Sequence, residues 1–167
     1  MTIERVLVCV DGSAAALAAA SLAIDLASGW GSRVRAVYVV GDLDAAAQID
    51  AAAPRGRAPA EGRLELVGSE VLARVDRLGR QAAVATDTVL RRGEAFSEIL
   101  REARAFGPDI VVIGRTRRLG PGPIVLGTVT AQLLEFAEWP VIVVPGRAGD
   151  ATADRWHGAA AGTARAR

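Results

Sequence analysis

The stretch DIVVIGRTRRLGPGPIVLGTVTAQLLEFAEWPVIVVP, residues 109–145, sets two apolar runs of strand length on either side of a helical pattern. The first run passes into a loop rich in glycine and arginine, and a glycine followed by a hydroxyl residue, Gly127-Thr128, marks the junction of loop and helix. The order is strand, loop, helix, strand. A helix N-terminus offers unpaired backbone N–H groups and the positive end of the helix dipole, so this junction suits an anionic group such as phosphate.

The same alternation runs through the rest of the chain. Short runs rich in Val, Ile and Leu fall at 5–10, 33–40, 84–90, 109–113 and 141–144. Helical patterns separate them, which predicts an α/β fold with a parallel sheet and right-handed crossovers. The first helix begins after Asp11-Gly12-Ser13 with Ser13 as N-cap, places Leu17, Ser21, Ile24 and Ala27 on one face and ends at Gly29. The second covers 64–82, with Leu64, Val67, Val71, Val75 and Leu78 at steps of three and four. The third, 94–106, turns Phe96, Ile99, Leu100 and Ala103 inward and stops at Gly107-Pro108. The fourth, 128–137, carries Val129, Leu133 and Phe136. Residues 41–63 are weakly patterned, with AAQIDAAA as a short helix before Pro and Gly residues. Residues 147–167 read as a flexible tail, with four arginines against Asp150 and Asp154.

Composition narrows the chemistry. A chain of 167 residues fits one domain. A formal charge of +1, with the arginines dispersed, gives no reason to expect nucleic acid. All 20 basic residues are arginine, as GC-rich coding favours, and the absence of lysine excludes both a Walker-type phosphate loop and a Schiff-base enzyme. Cys9 is the single cysteine, so an internal disulfide and a cysteine metal cluster are excluded. The single histidine, His157, lies in the tail, which argues against a histidine triad or zinc site. The chain shows no G-x-S-x-G elbow, no C-x-x-C and, after the first strand run, DGSAAA in place of G-x-G-x-x-G. No apolar run approaches the length of a membrane span, and the N-terminus enters a strand run without signal-peptide features, so a cytoplasmic protein is expected.

Three segments, VLVCVDGSAAALAAASLAIDLA, RRGEAFSEILREARAFGPDIVVIG and GTVTAQLLEFAEWPVIVVP, resemble the universal stress protein family in order and spacing. The resemblance implies a domain over residues 1–146. Its fold would be a five-stranded parallel sheet in the order 3-2-1-4-5 with helices on both faces, Rossmann-like and of the adenine nucleotide alpha hydrolase-like kind. Relatives that bind ATP carry G-x2-G-x9-G-[S/T]; here the register reads Gly114, Arg117 and Gly127-Thr128, with arginine at the second glycine. By the same resemblance Gly127, Thr128 and Thr130 would hold phosphates, the backbone of Val39 would read adenine, and Asp11 would contact the adenosine part.

Sheet physics points to the same place, because ligands of a doubly wound sheet lie beyond the strand ends where strand order reverses, between Asp11 and Gly114. Asp11 either accepts ribose hydroxyls or stabilises the turn with Ser13, and the two roles are compatible. Gly114 either admits a close ligand backbone contact or ends the strand. Thr128 is also an N-cap in its own right. Arg117, with Arg115 and Arg118 nearby, either clamps phosphate or fills the groove and excludes a triphosphate, unless these arginines are simply solvated. Gly120-Pro121-Gly122-Pro123 supplies few backbone donors.

The resemblance therefore implies a stress-response protein that holds ATP or a related adenine nucleotide as a regulatory ligand, with Mg2+ accompanying the phosphates. No catalytic base stands out, so at most slow ATP hydrolysis is expected. The alternative is a nucleotide-free homodimeric module of the same fold, with Arg117 blocking the phosphate groove. In either case the apolar edge strand 141–144 is the expected homodimer contact.

Overall fold

A computed structural model describes residues 2–41, 60–115 and 126–146. The alternation appears as β1 (Arg5–Cys9), α1 (Ala14–Trp30), β2 (Arg33–Val40), α2 (Ala60–Gln81), β3 (Thr86–Arg92), α3 (Ala95–Phe106), β4 (Ile110–Arg115), α4 (Thr128–Phe136) and β5 (Val141–Pro145). All strand pairs are parallel, in the order β3-β2-β1-β4-β5. This is the order the resemblance implies. Central β1 is buried on both faces, as a parallel sheet under two helix layers requires. Val6 and Val8 face α1 and α2, whereas Leu7 and Cys9 face α3 and α4.

Helix α1 is built for close approach. Its buried face is Ala15, Ala16, Ala19, Ala20, Ala23, Ile24 and Ala27, so it is mostly methyl groups that meet the sheet. The expected face was shifted: Ser21 is exposed, and its hydroxyl donates to the Leu17 carbonyl. The helix also runs past Gly29 and ends at Gly31, which adopts the left-handed conformation (φ 69°) that glycine takes without strain.

Three further boundaries move. Helix α2 starts at Ala60, earlier than its apolar pattern, and Leu64 is exposed. Strand β3 begins two residues later than expected, because the Val84 N–H closes on the Gly79 carbonyl and Thr86 is the first residue opposite β2. It then continues through Arg91 and Arg92, whose guanidinium groups pair with Glu102 and Glu65. Helix α4 ends at Phe136, which is 55% exposed instead of buried and meets the Phe96 ring of α3 at 6.0 Å. The short helix expected within 41–63 and the tail 147–167 lie outside the described residues. Among the described residues, no helix is long and apolar enough to cross a membrane.

The N-terminal edge of the sheet is tied by one carboxylate. Asp109 Oδ2 accepts the N–H groups of Glu4 and Arg5 at 2.8 and 2.9 Å. These two bonds, with a smaller contribution from the Arg5 charge, hold the Asp109 carboxyl below the usual range. A carboxyl whose folded pKa is depressed stabilises the fold above its unfolded pKa, and loses that contribution as pH falls through the folded value. Asp109→Asn should therefore lower the Tm at pH 7 by roughly 2 °C, given the solvent exposure of the site. The gap should narrow below about pH 4 and vanish in stronger acid, as read by thermal melts across pH.

Candidate functional site

A cavity of about 340 Å³ opens at the C-terminal ends of β1, β2 and β4, where the strand order reverses. That volume lies in the range of small-ligand pockets. Its floor is Cys9, Val37 and Ile113; Val39 of β2 with Ala95 and Ile99 of α3 make one apolar side, and Asp11, Gly114 and the start of α4 make the other. Six of the sequence-derived residues, Asp11, Val39, Gly114, Gly127, Thr128 and Thr130, are thereby brought together. Arg117 and Arg118 lie outside the described residues. Ala95 and Ile99 escaped sequence reading as wall residues, because an inward helix position looks the same whether it meets a core or a cavity.

Val39 lines this crevice, and its peptide group faces the β1 side of β2. In a parallel ladder the N–H and C=O of one residue face the same neighbour, and successive residues alternate. Arg33 N–H bonds to Glu4 on the β1 side, Val34 N–H to Ala85 on the β3 side, Val10 N–H reaches Val37 C=O, and Gly93 N–H reaches Val40 C=O. Odd residues thus face β1. The β1 pairing ends at Cys9 opposite Val37, so two positions later the Val39 donor and acceptor meet no strand on that side.

Asp11 divides its carboxylate. Oδ1 accepts the Ser13 N–H at 2.9 Å, shaping the turn, while the residue also borders the cavity. Burial, with a smaller contribution from the Asp11 charge, pushes the Cys9 thiol up to about 12 and also raises Tyr38. Cys9 is accordingly a protonated, apolar part of the floor at neutral pH.

Three helix N-termini with described caps surround the opening, and they differ. In α1 the Ser13 hydroxyl accepts the Ala16 N–H. In α3 the Glu94 carboxylate accepts the N–H groups of Phe96 and Ser97 at 3.1 and 2.7 Å, and these bonds lower its pKa. Helix α4 has Gly127 as its N-cap and no side-chain capping bond. Among the described residues no side chain accepts its first N–H groups, which suit an outside acceptor. Thr128 is exposed beside them, whereas Thr130 is 1% exposed and donates its hydroxyl to the Gly114 carbonyl at 3.3 Å. Thr130 therefore ties α4 to the end of β4.

Gly114 serves a contact that sequence reading did not foresee. A Cβ there would stand 2.5 Å from the backbone of Ala15 and Ala16, so the close approach it permits is to α1. Among the described residues no group of three or more His, Cys, Asp and Glu side chains is placed to hold a metal ion.

The sequence profile described as the universal stress protein family matches residues 2–145. A universal stress protein of Methanocaldococcus jannaschii is 31% identical over 148 residues, covering 84% of this chain and 81% of that one. Among solved structures, a universal stress protein family member from Burkholderia pseudomallei superposes with a TM-score of 0.66 at 24% identity, covering 86% of this chain and 97% of that one. A family protein from Arabidopsis thaliana, solved with AMP bound, gives a TM-score of 0.65 at 18% identity over 88% of this chain and 94% of its own. Sheet order, the crevice at its reversal and a match over nearly all of the described length lead to one conclusion: the chain belongs to the universal stress protein family.

Proposed function

We propose that the crevice binds an adenine nucleotide as a regulatory ligand, in a cytoplasmic stress-response protein. The observation that carries this reading is the start of α4: among the three N-termini with described caps at the crevice, it alone has no side-chain cap, and it opens on the cavity. The phosphate would bind there, beside Thr128. The ribose would lie against Asp11. The base would slide between Val39 and Ile99, where a peptide donor and acceptor side by side match the amino group and ring nitrogen of adenine. Structural neighbours solved with AMP, dAMP and cAMP support the choice of base. With ATP, the further phosphates and Mg2+ would extend from Thr128 toward Arg117 and Arg118.

A homodimer through β5 belongs to the same reading. This strand has β4 on one side only, and its residues 141–144 are half-buried. Leu134, 50% exposed, stands on the flank of α4 away from the Phe136 contact with α3, where it would extend that apolar edge.

Thermal melts with millimolar AMP, ADP and ATP, with and without Mg2+, test the function. At a hundredfold excess over Kd the Tm should rise by roughly 5 °C or more. No shift with any of the three would sink the proposal and leave the nucleotide-free homodimeric module. Arg117→Gly then isolates the departure from the family register, since a gain for ATP without a gain for AMP identifies the arginine as an obstacle to the outer phosphates.

A further inference from the structure

We infer that Glu102 is a positioning residue for the crevice: gripped by Arg35 and Arg91, it sets the gap between α3 and β2 into which the base inserts. The inference rests on the adenine-nucleotide reading above. Along α3, Ala95 and Ile99 line the cavity and Glu102 follows three residues on, along the same side of the helix. Along β2, Val39 and Val37 line it, and Arg35 is the next residue on that face. The apolar wall therefore runs directly into a buried ion cluster.

Glu102 is 1% exposed. Its Oε1 accepts from Arg35 at 3.0 Å; its Oε2 accepts from Arg91 Nε at 2.8 Å and from a terminal nitrogen of the same guanidinium. Arg35 also pairs with Asp87 at 3.3 Å and lies 4.4 Å over the Phe106 ring, while its buried Nε has no hydrogen-bond partner among the described residues. Arg91 is the ladder partner of Val39. The carboxylate thus joins α3 to the strand pair that carries the base-reading peptide. Apolar side chains can slide past one another at small cost, but a buried carboxylate must keep its directional, charge-assisted bonds. Helix α3 is held at the spacing those bonds demand.

Charge complementarity explains why the cluster lies here and not in the wall itself. Two guanidinium groups on neighbouring strands would repel without an anion between them, and Glu102 is the buried anion that α3 presents to both. Its loss would let the lower half of α3 lift from β2 and widen the slot, while the start of α4 on the far side of the cavity stayed in place.

That asymmetry supplies the test. AMP and ribose 5-phosphate are titrated into wild type and Glu102→Gln, following the Thr128 amide by NMR. AMP affinity should fall by about tenfold, the scale expected for a loosened site, whereas ribose 5-phosphate should stay within roughly twofold. Arg91→Lys, at a partly exposed position, keeps the charge and loses the two-point grip; its loss should be selective for AMP in the same sense. Equal losses for both ligands would reduce Glu102 to a general stabiliser, and unchanged AMP affinity in a folded variant would overturn the inference. Should Glu102→Gln fail to fold, Arg91→Lys decides by the same criterion. Wild type that binds no AMP fails before any variant is compared, which overturns the functional reading itself.

Discussion

Gly127→Asp is expected to abolish measurable AMP binding while leaving the protein as stable as wild type, or slightly more so. Gly127 sits at φ −60°, ψ 150°, an extended conformation open to any residue, so the substitution meets no backbone strain. An aspartate at an N-cap accepts the N–H groups two or three residues on, here those of Val129 and Thr130. These are the donors assigned to phosphate. The carboxylate would occupy them and repel a second anion. Losing charge-assisted hydrogen bonds worth about 1.5–3 kcal/mol each predicts a fall in affinity of roughly a hundredfold or more. Capping by Asp in place of Gly would add a few tenths of a kcal/mol to stability. Calorimetric titration and a thermal melt on one preparation read both signs. AMP affinity within about threefold of wild type would move the phosphate away from α4.

The second large effect concerns the fold. Gly114→Ala should destabilise the protein by about 3 kcal/mol, the upper part of the range for forcing extra atoms into a packed interior. The added methyl would stand 2.5 Å from the main chain of Ala15 and Ala16, and backbone cannot rotate away as a side chain can. Helix α1 would have to lift, and its face of buried alanines has no longer side chains to bridge the gap. Gly29→Ala is the internal control. Nothing lies within 4 Å of a Cβ at that helical position, so the substitution should stabilise by roughly 0.5–1 kcal/mol through helix propensity. Urea unfolding midpoints should move in opposite directions. A Gly114→Ala protein of wild-type stability would show that α1 is less closely seated than its contacts indicate.

Local rules explain which parts of the fold were legible. Apolar runs four to eight residues long and helical spacings of three and four depend on near neighbours, so the five strands and four helices lie close to their expected places. The ends of the elements shifted where distant groups intervene. Strand β3 reaches Arg91 and Arg92 because Glu102 and Glu65 receive their charges, and nothing next to them in sequence announces those partners. Phe136 fits an inward helical position, yet it lies exposed against Phe96 because α4 is short and offers the sheet chiefly Thr130 and Leu133.

The site divides along the same line. Sequence by itself determined the order of strands and helices and the position of an anion-friendly helix start at Gly127-Thr128, because both follow from spacing, and it set Asp11 beside Gly114 at one crevice through the strand order that the family resemblance implies. Only the tertiary structure decided what those residues touch. It turned the Gly114 vacancy toward α1, spent the Thr130 hydroxyl on the Gly114 carbonyl, carried Val39 past the end of the β1 pairing, and set Glu102 between two arginines. Each of these depends on a partner distant in the chain, and such partners meet only when helices and strands are packed in register.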